Sequence, residues 1–261
     1  MTTHAPYICL ACGDALDAYS PKCSTCQAAE TVIRNPRGHI TEEKTTRNRA
    51  QNAAQISTQL PKPIRTGRDA WDKALGGGFV KPSSVLIHGP AGVGKSTSAL
   101  RIAVQVAKSM GRKALYGSAE MPKEHLRLMA DKVRIAAVDL KHLYVNDSGN
   151  FEDMLEDVVQ LKPVIIVWDS IQRFRVDEEL GEVELRKVTT GAIELGNSVK
   201  AVTLLLSQVT KDDAFIGSNA MGHDADVVLS LRKVGPNLIA VECLVKNRWG
   251  PTPLSATEAL Y

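Results

Sequence analysis

Nine consecutive residues constrain this chain more than any others. Directly after the apolar run Val85-Leu86-Ile87-His88 stands Gly89-Pro90-Ala91-Gly92-Val93-Gly94-Lys95-Ser96-Thr97, and residues 96–110 then carry apolar side chains at spacings of three and four. The pattern G-x-x-x-x-G-K-[ST] between a strand and a helix is a phosphate cradle. Its glycines let backbone N–H groups turn inward, and the following helix aims its positive end at the same point. In that geometry Lys95 reaches the β and γ phosphates of ATP and Ser96 holds Mg2+. The loop needs a strand on one side and a helix on the other, so the chain is expected to be α/β.

The remainder fits that expectation. From residue 64 onward short apolar runs alternate with longer amphipathic stretches, the pattern of a mainly parallel sheet flanked by helices. Strands are predicted over 84–88, 113–118, 142–145, 164–168, 201–207, 226–231 and 238–245, and helices over 96–110, 123–133 and 183–195 among others. A magnesium-dependent nucleotide site also needs a carboxylate at the end of a buried neighbouring strand. Val164-Ile165-Ile166-Val167-Trp168 supplies it in Asp169.

Four of the five cysteines fall in the first 33 residues, as Cys9-Leu10-Ala11-Cys12 and Cys23-Ser24-Thr25-Cys26. Too few apolar residues surround them to build a core, so something other than burial must fold the segment. Two C-x-x-C knuckles ten residues apart can place four thiolates around one tetrahedral Zn2+, and two disulfides are the rival pairing. Cys243, alone in an apolar strand, reads as a small core residue. The organisation expected is a zinc finger over 1–33, a basic linker over 34–63 and a nucleotide-binding domain over 64–261. Residues 34–68 hold eight basic and two acidic side chains, which suits either a solvated linker or a phosphate-contacting arm. No apolar run reaches membrane-spanning length and Met1 to Tyr7 has no signal-peptide character, so a cytoplasmic location is expected.

Phosphate loop, strand-end Asp169 and alternating pattern together resemble RecA-like ATPases. In that group a glutamate after the strand following the loop helix orients the attacking water, and the matching residue is Glu120, in Tyr116-Gly117-Ser118-Ala119-Glu120. Gln208, ending Leu204-Leu205-Leu206-Ser207-Gln208, stands where an amide would sense the γ-phosphate. More specifically, the chain resembles the bacterial RadA (Sms) family of DNA-repair ATPases, which carry an N-terminal zinc finger. The cysteine spacing matches, as do Thr66-Gly67, Leu75-Gly76-Gly77-Gly78-Phe79, Trp168-Asp169-Ser170-Ile171-Gln172 and, with Trp in place of Phe, the KNRFG signature at Lys246-Asn247-Arg248-Trp249-Gly250.

That resemblance implies several things. Lys246 and Arg248 would neutralise transition-state charge at the nucleotide of an adjacent subunit, which requires a homo-oligomer, expected to be a hexamer. Arg173, Arg175 and, after Gln208, Lys211 would lie in loops that face single-stranded DNA. The activity implied is a DNA-dependent ATPase driving branch migration or strand extension. Separately, a zinc module can bind DNA or recruit a protein partner, here a recombinase, helicase or single-strand-binding protein. Two features depart from the family. Its Lon-protease-like C-terminal domain has no counterpart before Tyr261, implying a short form, and its GHVTK becomes Ser207-Gln208-Val209-Thr210-Lys211, which is similar to DnaB-type helicases and RecA. A replicative helicase or strand-exchange recombinase is therefore the alternative within the class. A KaiC-like regulatory switch, which shares the triple-glycine entry, is the alternative outside it.

Overall fold

The computed structural model describes residues 7–9, 11–29, 31–34, 52–55, 57, 61–176, 185–208 and 218–260. The chain divides into two compact units, Met1–Gln59 and Leu60–Tyr261.

In the first unit β1 (Tyr7–Cys9), β2 (Ala15–Leu16) and β3 (Val32–Arg34) form a small antiparallel sheet in the order β2-β1-β3. Its buried interior is Cys9, Cys23 and Val32, with Tyr7, Leu16 and Tyr19 packed around them. So small a core cannot offset the ordering entropy of such a segment, and the cysteines must contribute the rest. Most of the 34–63 linker expected from the sequence lies outside the described residues, as does Lys211.

The second unit is built on an eight-stranded sheet in the order β11-β10-β9-β4-β8-β7-β5-β6. Its strands are β4 (Ser83–Gly89), β5 (Ala114–Ser118), β6 (Leu143–Asn146), β7 (Ile165–Asp169), β8 (Val202–Gln208), β9 (Val227–Gly235), β10 (Leu238–Asn247) and β11 (Leu254–Ala259). The run from β9 to β6 is parallel, and β9, β10 and β11 form an antiparallel meander at one side. Around the sheet lie α1 (Asp69–Leu75), α2 (Lys95–Ser109), α3 (Lys123–Lys132), α4 (Phe151–Leu161), α5 (Leu185–Ser198) and α6 (Ser218–Asp224). None of the described helices is long and apolar enough to cross a membrane.

Strand residues alternate between two cores because successive side chains point to opposite faces. Val85, Ile87, Ala114, Tyr116, Ile165 and Val167 join α2 and Trp71 of α1 in one. Leu86, Leu115, Ile166 and Trp168 join Met154 and Val158 of α4 and Val188 and Ala192 of α5 in the other. Both faces of the central strands are therefore dry, which is why these strands read as continuous apolar runs.

All seven expected strands form, with β9 and β10 running past their expected ends. Strand β11 and helix α1 are additional. The segment Leu-Ser-Ala-Thr-Glu-Ala alternates but is only 6 residues long and half-exposed, and α1 has only 7 residues. Each is held by tertiary contact: Glu258 on β11 accepts from Arg68 Nε at 2.8 Å and from Trp71 Nε1 at 2.7 Å.

Candidate functional site

The C-terminal ends of β4, β8, β7 and β5 lie side by side, because parallel register aligns Gly89 with Gln208 and Ser118 with Asp169. At the first of these ends the chain turns through Pro90 to Gly94 into α2. Gly94 sits at φ 101° as the residue preceding the helix, a conformation a side chain strongly disfavours. Val93 is buried against the core and anchors the loop, while Ala91 and Gly92 are exposed at its tip. The α2 axis thus starts at the loop with its first N–H groups free of helical partners, an arrangement that binds anions. Lys95 is buried, and its Nζ donates to the carbonyl oxygens of Gly89 at 2.7 Å and Pro90 at 3.0 Å. Burial lowers its pKa, against the opposing attraction of Asp169 and Glu120. Thr97, also in the expected loop set, directs its hydroxyl at Met129 Sδ on α3, 3.6 Å away.

Asp169 ends β7 in a buried position, and burial raises its pKa. Its carboxylate accepts a hydrogen bond from Tyr116 Oη at 2.6 Å, and Tyr116 and the Ser96 side chain both oppose that rise. Paired hydroxyl and carboxylate oxygens at a helix start are hard donors of the kind Mg2+ selects. The residues present therefore fit that ion.

Glu120 follows β5, where Ala119 N donates to Asp169 O at 2.8 Å and fixes the turn. Its Oε1 accepts from Ser170 Oγ at 2.6 Å and Gln208 Nε2 at 3.3 Å. Arg173 Nε lies 3.4 Å from the same oxygen, although its side chain is 64% exposed. The structure thus gathers Glu120, Asp169, Gln208, Lys95 and Ser96 at one edge. Arg173 faces this edge, and Arg175 pairs its backbone with Gly149 and Phe151 while remaining exposed. Tyr116 and Ser170 touch the site without having been singled out by the sequence reading. The available signal was one phenol in an otherwise apolar strand.

Lys246 and Arg248 lie elsewhere. Strand β10 runs antiparallel, and Asn247 pairs with Val227, which in turn pairs with Val85 at the start of β4. The five residue steps from Ser84 to Gly89, at about 3.3 Å each, put them about 16 Å from the phosphate loop along the strand. Lys246 Nζ donates to the carbonyls of Gly222 and His223, and Arg248 bonds Asp226 at 2.9 Å. Asp226 also accepts from Ser84 N and Oγ, both at 2.9 Å. Leu244 and Val245, beside them on an irregular stretch of β10, are 50% and 83% exposed. Arg248 thus does not serve the loop of its own chain.

In the first unit all four cysteines are free, with ligand atoms within 4.8 Å of one another. Cys9 and Cys26 Sγ are 3.7 Å apart and Cys12 and Cys23 Sγ 3.8 Å. A disulfide needs about 2.05 Å, so neither pair is bonded in this structure. A tetrahedron with Zn–S of about 2.3 Å has an edge of about 3.8 Å, which those two pairs match. The two knuckles share one design: Gly13 N donates to Cys9 O and Gln27 N to Cys23 O, with Gly13 and Gln27 both at positive φ. The Thr31 hydroxyl, 3.2 Å from Cys9 Sγ, is the main cause holding that thiol down to about 6, whereas its neighbour Cys12 is raised to about 12.

The family model described as AAA domain matches residues 57–214. The DNA repair protein RadA of Mycobacterium tuberculosis is 31% identical over 199 residues, covering 75% of this chain and 41% of its own length. RadA of Aquifex aeolicus is 29% identical over 259 residues, 94% of this chain and 55% of its own. RadA of Campylobacter jejuni is 30% identical over 265 residues, 95% and 57% respectively. The chain spans about half the length of the curated relatives it matches. Among solved structures, one ATPase domain superposes with a TM-score of 0.60 at 17% identity, covering 76% of this chain and 87% of that one, so the fold is that of a RecA-like core.

Proposed function

Because this chain belongs to the AAA-domain family, with RadA repair proteins among its relatives, we propose that it is an ATP-driven motor on single-stranded DNA acting in recombination and repair. One observation carries the reading. Everything needed to bind and polarise a nucleoside triphosphate converges at one sheet edge, while the cations of the Lys246 to Gly250 segment stand at the opposite edge.

The roles follow from position. The Gly89 to Thr97 loop binds the triphosphate of ATP, and Lys95 exchanges its two carbonyl partners for phosphate oxygens. Ser96 and Asp169 hold Mg2+, which when bound neutralises charge on the β and γ phosphates. Glu120 accepts a proton from the attacking water, and Gln208, in contact with Glu120, links its position to the residues that follow β8 in the sequence. Arg248 and Lys246 complete the site of a neighbouring copy, so the working form is a closed ring, a hexamer, with shared sites. Cys9, Cys12, Cys23 and Cys26 hold Zn2+. Arg173 and Arg175, with Lys211, contact the phosphate backbone. The contact of Gln208 with Glu120 favours a helicase as the second reading.

The test is the ATPase rate with and without single-stranded DNA across a salt series. Stimulation that fades steeply with salt is expected, because phosphate contacts displace counterions. A rate indifferent to DNA refutes the motor, and a protein-dependent rate without DNA binding would mark a switch of the KaiC kind.

A further inference from the structure

From the buried contact between Tyr116 Oη and the Asp169 carboxylate, we infer that Tyr116 is a positioning residue that sets the Mg2+ affinity of the nucleotide site. The inference rests on the ATP-binding reading above and names one determinant of its metal half.

Tyr116 stands in the middle of β5 and is completely buried on the face shared with α2. Packing alone does not require a phenol there, since a phenyl ring fills the same space and spares the desolvation of a hydroxyl. The hydroxyl is used: it donates to Asp169 Oδ2 at 2.6 Å, while the backbone oxygen of Ser96 lies 3.5 Å away. A hydrogen bond that short to a carboxylate is of the strong, charge-assisted kind. It engages one oxygen of Asp169 and fixes the carboxylate plane beside Ser96. Without it the carboxylate loses that restraint and is freer to turn about its last bond. Partners of metal-site carboxylates act in this way, and their loss weakens metal binding by roughly 10- to 100-fold.

Tyr116→Phe is the direct test. Equilibrium binding of a fluorescent non-hydrolysable ATP analogue is measured across a Mg2+ series, with Mn2+ binding followed by electron paramagnetic resonance. Expected are unchanged affinity for the analogue without metal and a requirement for Mg2+ and Mn2+ raised roughly tenfold. Leu115→Val, on the opposite face of the same strand, controls for packing and should lower the melting temperature with no change in metal requirement. If Tyr116→Phe lowers only the melting temperature and binds metal as the wild type does, the inference is overturned. If it does not fold, 3-fluorotyrosine at position 116, a stronger donor of nearly the same shape, must alter the metal requirement, and an unchanged value likewise overturns it. Wild-type protein that binds no nucleotide at any Mg2+ concentration would instead refute the ATP reading itself.

Discussion

Replacing Arg248 by alanine separates catalysis from stability more cleanly than any other change in this protein. Among the described residues the guanidinium makes one ion pair, with Asp226, and its side chain is 53% exposed. Asp226 is 14% exposed, so the half-buried pair sits at the upper end of the surface range, about 1 kcal/mol. Its loss does not orphan Asp226, whose carboxylate keeps both Ser84 donors. For a unit of this size 1 kcal/mol corresponds to roughly 2–4 °C, so the melting temperature should fall by no more than about 4 °C. Turnover should fall by about 10³- to 10⁵-fold if the cation stabilises transferring phosphate. Nucleotide binding should be retained, because the loop of the same chain lies at the other end of β4. Mixing decides the geometry. Neither Arg248→Ala nor Lys95→Ala should be active alone, yet in randomly mixed rings about one site in four would join an intact loop to an intact Arg248. Recovery of about a quarter of wild-type turnover is expected in a coupled ATPase assay. No recovery on mixing, or an active monomeric Arg248→Ala protein, refutes the shared site.

Other changes act on separate parts of the molecule. Glu120→Gln should retain ATP binding and lose turnover by about 10²-fold or more, since an amide cannot accept the proton of water, and single-turnover kinetics reads both. Removing metal from the first unit with a chelator, or changing Cys23 to serine, should unfold residues 7–34 by circular dichroism while the melting temperature of the second unit stays unchanged, because each unit has its own core. Glu258→Ala should cost about 3 kcal/mol in calorimetry, because it leaves the Arg68 charge, 15% exposed, with the Ala259 carbonyl in place of a carboxylate and takes the acceptor from Trp71 Nε1. Glu258→Gln should cost less.

Chemistry that must be local could be read from the chain alone. A phosphate cradle needs its glycines, Lys95 and Ser96 within one turn of chain, and a four-thiolate cluster needs its knuckles at fixed spacing, so both are legible as spelling. The alternation of strand and helix was legible too, because two dry sheet faces demand continuous apolar runs such as Val164 to Trp168. Which distant residues meet was settled only by the folded sheet. Tyr116 finds Asp169 across 53 positions and Gln208 finds Glu120 across 88, because neighbouring parallel strands bring their ends into register. The family resemblance implied that Arg248 serves an adjacent copy, but no residue pattern shows which way it faces relative to its own phosphate loop. That direction comes from the antiparallel sense of β10, which pairing with β9 imposes and no local spacing encodes.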